Sequence, residues 1–195
     1  MGYPGAGKSF FARQFSDMFG APVVSFDRIT TELFENPTYS IDEHTLVQRI
    51  ALHMAEELAK TNRTYIVDGG SNSRSDRRIF GELAGKSNYG TLIIWVQTDT
   101  ETSLLRAAKR NPQKIDDIYN VSINDDQFSH LANRLVKPTA QEPVVVISGK
   151  HTFPTQAKIV LKKLVAPREE TAKQSDPTDR QAPISNRRSV TITSE

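Results

Sequence analysis

The chain has 195 residues, no cysteine, 37% apolar and 25% charged residues, and a formal net charge of +2. One domain accounts for that length at roughly 100 to 200 residues per domain, and the missing cysteines exclude a disulfide framework, a thiol nucleophile and any cysteine-built zinc or iron–sulfur site. The near-neutral balance makes no electrostatic case for a polyanionic partner, the apolar runs Leu92 to Val96 and Val144 to Ile147 fall far short of the roughly 18 residues of a membrane span, and the opening MGYPGAGKS lacks the layout of a secretory signal, so the expected location is cytoplasmic.

In chain order, Gly2 to Ser9 reads Gly-Tyr-Pro-Gly-Ala-Gly-Lys-Ser and satisfies G-x-x-x-x-G-K-[ST]. Glycines at Gly2, Gly5 and Gly7 let successive backbone N–H groups turn inward around an anion. The helix expected over Ser9 to Phe19 sets its positive dipole end beneath. Gly2, Gly5, Ala6, Gly7, Lys8, Ser9 and Phe10 are therefore the candidate nucleotide contacts, with Lys8 on the β- and γ-phosphates and Ser9 on Mg²⁺. A phosphate loop ordinarily leaves a buried strand, and only Met1 stands before Gly2 here. The reading therefore expects a central first strand to be missing from this sequence.

Downstream, β-branched runs at Pro22 to Phe26, Thr64 to Val67, Thr91 to Gln97 and Pro143 to Ile147 read as buried strands. They alternate with apolar residues at helical spacing over Glu43 to Thr61, Ser73 to Lys86, Thr100 to Arg110, Asp126 to Val136 and Pro154 to Val165. Strand alternating with helix means an α/β fold with a parallel sheet. Asn111 to Asn124, with Pro112 and few periodic apolar residues, is the candidate lid. From Ala166 to Glu195 there is no aromatic residue and no period, so this stretch is expected to be a disordered polar tail behind a domain spanning residues 1–165.

Ligands of open parallel sheets bind at the carboxyl ends of strands. Asp27, just past the first run, either orients or deprotonates an acceptor hydroxyl or caps a short helix over Arg28 to Phe34. Asp68, before Gly69-Gly70, either holds a Mg²⁺-bound water or serves a turn. Arg106 and Arg110 lie one helical turn apart before the lid, where they can neutralise a transferring phosphoryl group or sit in solvent. Arg77 and Arg78 stand early in a helix near the same edge, as candidate substrate contacts. The histidines His44, His53, His130 and His151 show no metal-ligand spacing.

GYPGAGKS, SFDRI from Ser25, VDGGSNSRSDRR from Val67 and LLRAAKR from Leu104 together resemble the AAA-type P-loop kinases of the polynucleotide kinase and zeta-toxin group. The resemblance runs from Gly2 to about Leu164. It implies a nucleotide kinase-like three-layer fold, binding of ATP and Mg²⁺, and γ-phosphoryl transfer to a hydroxyl. It also implies an acceptor-hydroxyl role for Asp27 and a lid role for Arg106 and Arg110. Asp68, Asp76, Arg77 and Arg78 align with the third motif, and Gly149 in Ser148-Gly149-Lys150 falls on the loop beside the adenine. The motif's Asn falls on Ser71, with Asn72 one position later, and Thr30 replaces the arginine of polynucleotide kinases. The acceptor is thus left among nucleosides, polynucleotide ends, nucleotide sugars and small molecules. A nucleotide hydrolase or switch, and a non-catalytic nucleotide-binding module, are the rival readings.

Overall fold

The computed structural model describes residues 1–111, 119 and 121–166. Most of the expected lid, and the tail after Ala166, lie outside the described residues.

The order is α1 (Lys8–Phe19), β1 (Val23–Ser25), α2 (Phe26–Leu33), α3 (Ile41–Ala59), β2 (Ile66–Asp68), α4 (Arg74–Lys86), β3 (Ile93–Gln97), α5 (Thr100–Ala108), α6 (Asp125–Asn133), β4 (Val144–Ser148) and α7 (Phe153–Val165). Helices α2 to α6 each start where a small polar side chain takes up a free N–H group. Ser25, Ser40, Ser73, Asp99 and Asn124 cap α2 to α6 in this way, and Asn124 with Gln127 forms a full capping box. The short helix after β1 begins two residues earlier than its sequence pattern suggested, because the Ser25 hydroxyl accepts the Arg28 N–H at 3.2 Å. That bond gives the capping job to Ser25 and not to Asp27.

Among the described residues all strand pairing is parallel, as the alternation of strands and helices requires. β1 pairs with β2 in the register Val23 to Ile66 and Ser25 to Asp68, while β3 pairs with β4 from Ile93–Val144 to Gln97–Ser148. The two pairs form separate two-stranded sheets. Between them lies a slot of about 1230 Å³ lined by Ile66 and Val67 on one side and Ile93 and Ile94 on the other, with Phe15 and Val160 along it. Met1 lies at this gap, beside β3. Its N–H group donates to the Ile94 carbonyl at 2.7 Å, and its carbonyl accepts the Val96 N–H at 3.0 Å. Those two bonds are one rung of a parallel ladder beside β3.

One core packs α1 and α7 on the β3–β4 pair through Phe11, Phe15, Val96, Ile147, Phe153 and Val160. A second packs α2 and α3 on the β1–β2 pair through Val24, Phe26, Ile29, Val47 and Ala51. The small residues Ala51 and Ala55, one turn apart on α3 and both fully buried, make room for close helix packing. Among the described residues no helix is long and apolar enough to cross a membrane.

Candidate active site

The phosphate loop takes its shape from close approaches that admit no side chain. Gly5 has φ 77°, and a Cβ there would collide with the Ser103 carbonyl on α5. Gly149, after β4, lies against the Ala6 carbonyl and the Thr98 hydroxyl, so the loop that ends β4 stacks directly on the phosphate loop. Thr98 donates to the same Ala6 carbonyl at 3.0 Å. Gly7 caps α1 with no side chain, which leaves the first-turn N–H groups of Lys8, Ser9 and Phe10 without an acceptor from the cap. The Phe10 ring itself is 45% exposed, so the backbone is what that residue offers.

Asn72 fixes the start of the loop. Its side-chain oxygen accepts the Gly2 N–H at 3.0 Å and its amide donates to the Gly2 carbonyl at 3.2 Å. The neighbouring Ser71 hydroxyl only turns back to Gly69. Sequence reading gave Asn72 no role; the one available signal was the motif asparagine displaced by a single position.

Lys8 folds over the loop and donates to the Tyr3 carbonyl at 2.9 Å. Burial lowers its pKa, opposed by the nearby carboxylates of Asp27 and Asp68. The register that aligns Ser25 with Asp68 brings these two acids to the same carboxyl edge. Asp68 is buried, and burial together with Asp27 raises its pKa, while the Ser9 hydroxyl and Lys8 favour its charged form. Ser9 and Asp68 are neighbouring hard oxygen donors. Such a pair suits Mg²⁺, which keeps most of its water and takes few protein ligands. Among the described residues there is no cluster of three or more His, Asp or Glu side chains that could hold a metal ion.

Beside Lys8 opens a cleft of about 150 Å³ whose walls include Asp27, Thr30, Tyr39, His44, Asp76, Arg110, Leu131 and Arg134. Asp27 sits in the first turn of α2, where the helix dipole favours its charge. No described side chain hydrogen-bonds its carboxylate. Tyr39 is held at φ 58°, an uncommon backbone for an aromatic residue. Glu43 secures that turn by accepting the Tyr39 N–H at 2.6 Å and the Thr38 N–H at 2.9 Å. Tyr39, Glu43, His44 and Arg134 carry no motif and were not legible as cleft residues in the sequence.

The arginines separate. Arg106 donates to the Gly149 carbonyl at 3.1 Å, on the side of the β4 loop, whereas Arg110 lines the cleft. Arg77 does not join them. Its guanidinium forks onto Glu142 at 2.6 and 3.3 Å and donates to the carbonyls of Ser71, Asn72 and Val136, which makes it a buried brace under the phosphate loop. Arg78 is 74% exposed and lies near Glu82 on its own helix, outside the cleft.

The fold has known counterparts. A sugar kinase from Janibacter sp. HTCC2649 superposes with a TM-score of 0.63 at 14% identity, covering 84% of this chain and 91% of that one. The APS kinase of Mycobacterium tuberculosis, solved with AMPPNP and APS, gives 0.61 at 17% over 85% and 95%. A gluconokinase from Sinorhizobium meliloti 1021 gives 0.57 at 18% over 84% and 86%. At these identities the likeness establishes the fold, that of the P-loop kinases with its parallel strands. No curated protein sequence matches the chain. A family model described as an AAA domain matches residues 1–138, most of the chain, and with its phosphate loop, parallel strands and strand-end acids in place the protein belongs to that AAA domain family.

Proposed function

We propose that the protein is an ATP- and Mg²⁺-dependent phosphotransferase that moves the γ-phosphoryl group to a hydroxyl of an acceptor held in the Asp27 cleft. The proposal includes the finer kinship with the polynucleotide kinase and zeta-toxin group. The observation that carries it is the Asp27 carboxylate, released from capping by Ser25 and left without a hydrogen-bonding side chain in a cleft that also exposes Lys8. A hydrolase needs only to orient water; a cleft with its own walls, beside the phosphate loop, suits a second substrate.

Bound Mg·ATP would supply the phosphoryl group and the charge neutralisation that its transfer requires. Around it, the N–H groups of Gly5 to Phe10 would hold the phosphates, Lys8 would reach between β and γ, and Ser9 with Asp68 would anchor the metal. Asp27 would align the acceptor hydroxyl and take its proton as the bond to phosphorus forms. Arg110, from the cleft wall, and Arg106, on release from Gly149, would oppose the charge on the transferring group. The Gly149 loop would flank the base.

Labelled-ATP transfer by the full chain tests this, with the acceptor-free rate as control. Acceptor-dependent label transfer, abolished by Lys8→Ala together with the nucleotide-induced rise in melting temperature, supports the assignment. ATP turnover that no acceptor accelerates would favour the hydrolase.

A further inference from the structure

Resting on the phosphotransferase reading, we infer that the acceptor is a small anionic polyol, a hydroxy acid or polyol phosphate of about three to six carbons, whose anion is bound by Arg134. The inference comes from the state of each ionisable group around the cleft.

Two of the cleft's three carboxylates are already satisfied by the protein. Glu43 accepts backbone N–H groups from Thr38 and Tyr39, and Asp76 accepts from Gln48 at 2.8 Å and from His44 at 3.5 Å. Lys8 faces the third, Asp27, and also Asp68. On the cationic side, Arg110 makes one long bond of 3.4 Å to the Val121 carbonyl. Arg134 lines the cleft half-buried, with no hydrogen bond or ion pair from its guanidinium among the described residues. A cation at the end of α6 also suits the helix dipole, but that preference is met equally by a side chain in solvent. A half-buried guanidinium on a cleft wall, with its fork of donors unspent, suits a carboxylate or phosphate, which it can bind through two parallel bonds.

Size and wall chemistry narrow the class. The cleft volume of about 150 Å³ is on the scale that suits a short carbon chain, and the cleft is open on one side. Phe26 and Leu131 offer apolar surface to a short carbon chain, and Asp27 and Tyr39 offer polar atoms to its hydroxyls. Thr30, in the position where polynucleotide kinases carry an arginine, spends its hydroxyl on the Phe26 carbonyl at 2.8 Å and brings no charge for a nucleic-acid phosphate.

The test offers the full chain Mg·ATP with matched acceptors: glycerate and gluconate, their neutral counterparts glycerol and glucitol, glycerol 3-phosphate, and an oligonucleotide with a 5′-hydroxyl. The expected result is a KM for the anionic acceptors at least tenfold below that of the neutral ones. The carboxylate and phosphate arms then tell which anion the site takes. Arg134→Gln should raise the KM for the anionic acceptors about tenfold and erase the preference, with kcat within a factor of two and the KM for ATP unchanged. Equal use of neutral acceptors, preference for the oligonucleotide, or an Arg134→Gln enzyme with unchanged acceptor KM would overturn the inference. Calorimetry with the same compounds separates it from its parent reading. An anionic polyol that binds the wild type and not Arg134→Gln, yet is never phosphorylated, defeats the phosphotransferase and keeps the anion site. No binding of any anionic polyol defeats the anion site itself.

Discussion

The Asn72 side chain grips both backbone groups of Gly2, tying the first residue of the phosphate loop to the segment after β2 across 70 positions of sequence. The loop is thereby held in shape before any phosphate arrives, which lowers the ordering cost of binding. Asn72→Ala is expected to weaken ATP binding about tenfold, with a stability loss of about 1 to 2 kcal/mol for two forfeited hydrogen bonds. Calorimetric ATP affinity beside a denaturant midpoint checks it, and full affinity in a stable variant would remove Asn72 from the site.

Asp27→Asn isolates the charge that acceptor activation needs. Because Ser25 supplies the helix cap, the substitution should cost little stability, and ATP affinity should hold because the loop and Lys8 remain. Phosphoryl transfer should fall roughly 100-fold or more as general-base help is lost. An unchanged kcat with the identified acceptor would take Asp27 off the catalytic list.

The Arg77–Glu142 brace predicts a pH dependence of stability. Hydrogen bonding to Arg77 lowers the Glu142 pKa from 4.5 to about 2. The folded-state pKa is depressed, so the stabilisation is fully present above the unfolded value of 4.5 and is lost as pH falls toward about 2. Glu142→Gln leaves the buried guanidinium without its counter-charge, and about 2 to 3 kcal/mol should be lost at neutral pH, less than for a fully buried pair because the Glu142 side chain is 20% exposed. In the variant, melting temperature between pH 5 and pH 2.5 should vary less than in the wild type.

The slot between β2 and β3 predicts that its edges accept a strand. Fusing about five apolar residues ahead of Met1 would continue the ladder that Met1 begins with Ile94 and Val96 and would bury side chains at roughly 1.5 to 3 kcal/mol each. After the entropy of ordering them is subtracted, a rise of roughly 10 °C or more in melting temperature is expected. A fusion carrying polar residues of the same length should give none. Equal melting temperatures for the two fusions would show that the slot is not shaped for a strand.

Local chemistry wrote much of this protein into its sequence. The phosphate loop was legible because three glycines, a lysine and a serine at fixed spacing meet a need of backbone geometry, and the helices were legible because apolar period and capping residues act within a few positions. The strand-end acids could be named because a parallel sheet presents its carboxyl ends to ligands. What needed the tertiary structure depends on long-range neighbours. Arg77 and Arg110 are the same residue type near the same edge, yet the fold places Glu142 and three carbonyls around the first and leaves the second in the cleft. Asn72 became visible only when Gly2 was folded against it, and Arg134 only when α6 ended at the cleft. A side chain's chemistry is set by its composition, but whether that chemistry is spent on the fold or left for a ligand depends on partners tens of residues away, which spacing alone does not encode.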